Sequence, residues 1–163
     1  ALSLYTVVTS ITPGPNNMMV LASGVNFGFR RSIPHMLGIS GGFAVLLLAV
    51  GMGLGAIIHA YPGLSLAMKF ASAAYLIYLA WRIAFSRSVG SGQAGAEPLT
   101  FLQAAMFQWV NPKAWMMALG ALSAYSAGAG GVAGVALVFV LVNLPSVAVW
   151  AAMGQGLQGF LQS

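Results

Sequence analysis

Charged residues are scarce in this sequence. Only 4% of its 163 residues are Asp, Glu, Lys or Arg, whereas soluble domains carry roughly a quarter. Glu97 is the sole acidic residue, which excludes a carboxylate pair for acid–base catalysis. Cysteine is absent, so disulfides and thiol chemistry are excluded too. With no Ser-His-Asp set and no phosphate-binding loop either, we expect neither an enzyme nor an ATPase, and no cofactor or metal.

The chain is instead rich in apolar residues. They make up 60% of the sequence, and the mean hydropathy is +0.90, which predicts an all-α, polytopic helical membrane protein. A helix that crosses a bilayer needs about 20 apolar residues. Five segments meet this need, at approximately 2–24, 34–59, 64–85, 99–124 and 132–153, followed by a short tail at 154–163.

The basic residues predict the orientation of these spans. Arg30 and Arg31 lie in loop 26–33, and Arg82 and Arg87 adjoin loop 86–98. Because cytoplasmic loops are rich in Lys and Arg, both loops are predicted to be cytoplasmic. The net charge of +5 is therefore interpreted as membrane orientation and not as nucleic-acid binding.

Three other ionisable residues lie near the predicted span ends. We expect Lys69 to reach the membrane interface along its flexible side chain. His35 and His59 are also predicted to be interfacial rather than proton carriers, although histidine titrates near neutral pH.

Two spans are interrupted by proline. The first carries Thr12-Pro13-Gly14-Pro15-Asn16-Asn17, and the fourth carries Asn111-Pro112-Lys113. Proline breaks a helix because it lacks an N–H and clashes with the preceding turn. Freed backbone groups are tolerated at membrane depth only inside protein or beside water. Interruptions at corresponding positions of two halves indicate a transporter binding site.

The candidate substrate-binding residues are the two breaks and their polar neighbours. Half-helix N-termini and a lysine suit a carboxylate, and asparagine amides suit the remaining polar atoms. The alternative is that the prolines only kink the helices, while the asparagines and Lys113 satisfy freed backbone groups. The candidates are Pro13, Gly14, Pro15, Asn16, Asn17, Gln108, Asn111, Pro112, Lys113 and Asn143.

The chain divides at its one Ser/Gly-rich stretch. The predicted units are a three-helix repeat at 1–86, a cytoplasmic linker at 87–98 and a second repeat at 99–163. Both repeats open with a broken helix, and an odd number of spans per unit gives them opposite orientations, as in an inverted repeat. The second repeat has only two helices, so a sixth helix is expected to be missing from this chain. The incomplete second repeat is compatible with a homodimer.

Glycines recur along the second span. Gly38 and Gly42 form one small-xxx-small pair, and Gly51 and Gly55 form another. Such pairs allow close approach of helix backbones, so we interpret them as packing positions.

The sequence resembles the lysine exporter (LysE/RhtB) family of bacterial amino-acid exporters along nearly its whole length. The similar stretches are 12–16 (TPGPN), 28–30 (GFR), 37–42 (LGISGG), 74–82 (AYLIYLAWR) and 101–115 with QWVNPKA inside it. The resemblance implies a multi-pass protein of the bacterial inner membrane. It is closest to the cysteine/O-acetylserine exporter branch. The family pattern includes one further helix, in agreement with the missing sixth span.

One position departs from the family pattern. Many members carry an Asp directly after the glycines of the second helix, where this sequence has Phe43. The departure disfavours a carboxylate-based proton or cation site, and also a strongly cationic substrate such as lysine or arginine.

Three functions follow as hypotheses. The first is a gradient-driven secondary transporter that exports small neutral amino acids or derivatives, either cysteine/O-acetylserine-like or homoserine/threonine-like. Its partners would be the amino-acid substrate and the bilayer, with no nucleic acid. The second is a membrane-embedded structural or assembly subunit that binds other helices through its glycine-rich faces. The third is a passive channel.

Overall fold

Helices make up almost all of the described chain. A computed structural model describes residues 2–54, 56, 60–84, 97–125 and 130–162. Within these ranges there is no β-strand, and the predicted all-α fold is confirmed. Seven α-helices occur there: α1 (Leu2–Ile11), α2 (Pro15–Phe27), α3 (Phe29–Ala49), α4 (Pro62–Ala84), α5 (Phe101–Phe107), α6 (Pro112–Tyr125) and α7 (Gly131–Gln162).

The two predicted breaks divide the first and fourth spans into half-helices. The first span becomes α1 and α2, and the fourth becomes α5, a 3-10 turn at Gln108–Val110, and α6. Among the described residues, two helices are long and apolar enough to cross a membrane by themselves, at Phe29–Gly53 and Gly131–Leu161. The half-helices are too short for this singly, because each break divides one apolar run into two pieces.

Helix α7 is the central element of the packing. It contacts α1, α2 and α3, and α3 in turn packs against α5. One apolar cluster joins α3, α6 and α7 around Phe43, Trp115 and Phe139. A second joins α2, α3, α5 and α7 around Val20 and Ile39. Each half-helix therefore packs against α3, α7 or both.

The predicted loop at 26–33 is helical for most of its length. Helix α2 continues to Phe27 and α3 begins at Phe29, so Gly28 alone connects them, with φ at +83°. The side-chain oxygen of Gln155 accepts a hydrogen bond from the Phe29 N–H at 2.6 Å and so caps α3. Pro34 lies inside α3, where its missing N–H costs one helical hydrogen bond without ending the helix. That this connection lies on the cytoplasmic side of the membrane stays a prediction.

The predicted tail at 154–163 is also helical, through Gln162. Its glycines disfavour a helix by roughly 1 kcal/mol each. Packing prevails because Gly154 is buried against α2, where an added Cβ would meet the Leu21 carbonyl oxygen and lie 3.0 Å from the Gly24 Cα.

The predicted end of the second span lies partly outside the described residues. Helix α3 passes into a π-helical turn at Val50–Leu54, and the backbone leaves the helix at Gly53, where φ is +125°. Only glycine adopts this φ readily. Gly55 and His59, and most of the predicted linker at 87–98, lie outside the described ranges.

The interfacial prediction for His35 is wrong. Its side chain is 1% exposed, because α3 begins at Phe29 and places residue 35 almost two turns inside the helix. Neither ring nitrogen has a hydrogen-bond partner. Lys69, in contrast, is exposed on α4.

We expect His35→Leu to stabilise the fold by about 1 kcal/mol, because a buried polar group without a partner costs that much or more. The measurement is the thermal unfolding midpoint of the purified protein in detergent. Ile33→Leu, at an exposed position of the same helix, is the control and should leave the midpoint unchanged. A lower midpoint for His35→Leu would mean that the imidazole has a polar partner, such as a buried water.

We expect Gly154→Val to destabilise the fold by about 1–3 kcal/mol, the usual cost of overpacking. Backbone atoms of α2 occupy the space that the new side chain would need, and they cannot rotate away. Gly156→Val is the matched control, because no atom lies within 4 Å of a Cβ added there. Equal unfolding midpoints for the two variants would contradict the close contact between α2 and α7.

Candidate functional site

The first helix break frees several backbone carbonyls, and the protein supplies a donor to each of them. The side-chain amide of Asn17 donates to the carbonyl oxygens of Ser10 (2.8 Å) and Thr12 (2.7 Å). Asn17 is 3% exposed and uses both N–H groups in this way. Its observed role is therefore to hold the break in shape.

Residues distant in sequence satisfy the other carbonyls of this break. The indole N–H of Trp150, on α7, donates to the Ile11 carbonyl at 2.9 Å. The ammonium of Lys113, on α6, donates to the Thr12 carbonyl at 2.6 Å. Thr12 itself closes the end of α1 through its N–H and hydroxyl. The break is thus tied to both α6 and α7.

The second break is held by its own asparagine. The side-chain oxygen of Asn111 accepts a hydrogen bond from the Lys113 N–H at 3.1 Å, and so caps α6, which begins at Pro112. Asn111 is 1% exposed. Nearby, the indole of Trp115 donates to the Trp109 carbonyl at 2.9 Å.

The two breaks meet in the structure. The side-chain amides of Asn16 and Gln108 form a reciprocal pair, with N···O distances of 2.7 and 2.9 Å. Gln108 is fully buried and also donates to the Ala104 carbonyl at 2.9 Å. Gly14 makes room for Lys113, whose Cδ lies 2.5 Å from the position of an added Cβ. Side chains of one interruption therefore contact the other directly.

A small cavity lies between the breaks. Its free volume is about 20 Å³, which is room for about one water molecule. The lining residues are Thr9, Ser10, Asn16, Asn17, Ile39, Phe43, Asn111, Lys113, Ala114, Met117 and Asn143.

Five predicted candidates line this cavity, namely Asn16, Asn17, Asn111, Lys113 and Asn143. The other five support it.

Among the supporting residues, Pro13, Gly14, Pro15 and Pro112 shape the two breaks, and Gln108 holds Asn16. That any of the ten binds a substrate stays a prediction.

Sequence reasoning missed several lining residues. Ser10 is one of several hydroxyl side chains of α1, and such side chains usually bond to their own helix backbone, so it gave no signal. Ser40, which bonds to the lining residue Asn143, was also missed. Its hydroxyl accepts a hydrogen bond from the Asn143 amide at 3.1 Å, which no spacing rule relates across 103 positions. Phe43 lines the cavity and contacts Phe139 in a tilted arrangement, with ring centroids 5.1 Å apart.

The charge of the cavity is of one sign. Lys113 is the charged lining residue, and Glu97 is exposed outside the helices, before α5. Helices α2 and α6 begin at the breaks, and their N-termini carry partial positive charge. Within the described ranges no three His, Cys, Asp or Glu side chains could together hold a metal ion.

Comparisons with known proteins agree with this architecture. The family model of the LysE type translocators matches residues 7–162. The chain belongs to the LysE family. It is therefore a helical membrane protein of a translocator family, and the resemblance found in the sequence is confirmed.

The LysE family chain is similar to several curated efflux proteins. The cysteine/O-acetylserine efflux proteins of Escherichia coli K12 and Shigella flexneri are each 38% identical to it over 120 residues. That of Klebsiella pneumoniae is 34% identical over 118 residues. Each alignment covers 72% of this chain and 60% of the relative, so the chain spans less than two thirds of their length. No solved structure matches it significantly.

The Asn16–Gln108 pair is expected to couple the two breaks energetically. Hydrogen bonds between membrane helices contribute about 0.6 kcal/mol on average and up to about 1.7, and this pair has two of them. The measurement is a double-mutant cycle with Asn16→Ala and Gln108→Ala, from unfolding free energies in detergent. We expect a coupling near the upper value.

Asn26→Ala combined with Gln108→Ala is the control for this cycle. Asn26 bonds to the Ala22 carbonyl of its own helix, so its effect should simply add to that of Gln108→Ala. Additive effects for Asn16→Ala as well would contradict the pairing of the two breaks.

Proposed function

We propose that this protein is a secondary transporter that exports small neutral amino acids or their derivatives, such as cysteine or O-acetylserine. It would act as a multi-pass protein of the bacterial inner membrane and be driven by a gradient. This chain carries no nucleotide-binding motif that would support ATP hydrolysis. The substrate class follows the names of the efflux proteins to which the chain is similar.

The observation that carries the proposal is the meeting of two helix breaks at a polar cavity. Proline-interrupted membrane helices expose backbone groups that can bind a polar substrate near mid-membrane. Here the cavity also carries four asparagine amides and one lysine. These groups match the hydrogen-bonding atoms of an amino acid, while Ile39, Phe43 and Met117 form an apolar part of the lining.

The small volume of the cavity supports a transporter rather than an open pore. At about 20 Å³ it holds no amino acid, so the breaks must move apart when a substrate binds. The contacts that close it are side-chain hydrogen bonds, from Asn16 to Gln108 and from Lys113 to Thr12. Such contacts can exchange partners during a transport cycle, whereas a passive channel would need a continuous path.

The glycine contacts argue against a purely structural subunit. That hypothesis needs glycine faces free to bind other proteins. Gly38 and Gly42 are instead packed against Phe101 and Ala105 of α5. Within the described helices, these close-packing glycines are used inside the chain.

We expect cells that overproduce the full-length protein to accumulate cysteine or O-acetylserine in the medium. Asn111→Ala should reduce this accumulation about tenfold or more at equal membrane level. Asn111 lines the cavity, and its side chain also caps α6, a contact with a usual value of about 1 kcal/mol. The measurement is the extracellular metabolite profile with quantified protein in the membrane.

Two further variants make this test specific. Asn143→Ala removes another lining amide and should also reduce export, whereas Asn26→Ala removes an amide that bonds only within α2 and should not. If folded wild-type protein exports nothing, the proposed function is wrong. If export and membrane level fall together in every variant, the structural hypothesis is favoured.

A further inference from the structure

The cavity offers a partner to only one of the two charges of an amino acid. Lys113 and the N-terminus of α2 suit a carboxylate. No lining side chain is acidic, so the ammonium of an amino acid would meet only neutral amide and hydroxyl oxygens. The inference below rests on the proposed function and concerns which part of the substrate is recognised.

Lys113 presently binds a weaker partner than a carboxylate. Its ammonium donates to the Thr12 carbonyl at 2.6 Å, which is a bond from a cation to a neutral oxygen. A pair in which both groups are ionised is stronger. A carboxylate that enters the cavity would therefore compete with the Thr12 carbonyl for Lys113, and its arrival would release a contact that joins the two breaks.

Ser10 provides a second and independent indication of a ligand. Its side chain is 3% exposed and lines the cavity, yet its hydroxyl has no hydrogen-bond partner. The hydroxyls of Thr6 and Thr9, on the same helix, donate to backbone carbonyls at 2.7 and 2.8 Å. A buried hydroxyl without a partner is costly, and a carboxylate oxygen is an acceptor that would relieve this cost.

The start of α2 adds backbone donors at the same place. Pro15 has no N–H, and the first backbone hydrogen bond of the helix runs from the Met18 N–H to the Gly14 carbonyl at 2.9 Å. The backbone N–H groups of Asn16 and Asn17 precede this hydrogen bond in the chain, and no side chain caps this end of α2. Both residues line the cavity.

We propose that the cavity selects its substrate by the carboxylate, which Lys113, Ser10 and the first backbone N–H groups of α2 bind together. The amino group of the substrate then need not be charged. Small N-acylated amino acids, which keep the carboxylate but carry a neutral amide, are then substrates alongside the free amino acids. Carboxyl esters, which keep the ammonium but lose the carboxylate, are excluded.

The test is transport by the full-length protein in proteoliposomes. The three compounds are O-acetylserine, N-acetylserine and the methyl ester of O-acetylserine. We expect the first two to be transported at similar rates and the ester about tenfold more slowly or worse, which corresponds to about 1.4 kcal/mol. Transport of the ester as fast as the acid, or rejection of N-acetylserine while O-acetylserine is carried, overturns this inference and leaves the proposed function standing. Transport of none of them by folded protein overturns both.

Variants of Lys113 distinguish recognition of the substrate carboxylate from a purely structural role of the lysine. Lys113→Met should remove the preference for acid over ester, and Lys113→Arg should retain it. A purely structural lysine would lower transport of all compounds alike and leave their ratio unchanged, which would contradict the proposal.

The hydroxyl is tested in the same assay. Ser10→Ala should raise the KM for N-acetylserine severalfold, because the carboxylate loses one donor. Thr6→Val is the matched control, since Thr6 is buried on the same helix but bonds to its own backbone. An unchanged KM for Ser10→Ala would remove Ser10 from the carboxylate site.

Discussion

The structure depends on the satisfaction of backbone carbonyls at the end of α1. The prolines of the first break interrupt the helix, so the last carbonyls of α1 lose their usual helical partners, and in an apolar surrounding each unsatisfied group costs several kcal/mol. Asn17, Lys113 and Trp150 supply the missing donors. These three side chains belong to α2, α6 and α7, so one local defect in a helix fixes the positions of three other helices.

This dependence joins the structural and functional interpretations of the polar residues. Asn17 is fully used by the backbone, as the structural interpretation expects. Lys113 is used by the backbone as well, but through one hydrogen bond from a group that has three donors. Ser10 is not used at all. The capacity to bind a ligand therefore differs among neighbours in the same cavity, and it is largest where the protein leaves donors unfilled.

The sequence predicted the features that arise from local chemistry. Proline located both breaks, and small-xxx-small spacing identified Gly38 and Gly42 as packing positions. Features that depend on tertiary contacts were not predictable. The start of α3 at Phe29 needs Gln155 from the far end of the chain as a cap, and the burial of His35 follows from that earlier start. Ser10 was missed because a missing hydrogen bond has no signature in the sequence.

The close glycine contacts constrain how the two breaks can separate. Gly38 of α3 lies against Phe101 of α5, and Gly154 of α7 lies against Leu21 of α2. Each contact joins a helix of the first predicted repeat to a helix of the second. A rigid rocking of one repeat against the other would have to open both backbone contacts at once. The side-chain contacts between the breaks are easier to open, because an incoming polar group can replace each lost partner. Separation that begins at the breaks while the glycine contacts hold therefore requires less free energy than separation of whole repeats.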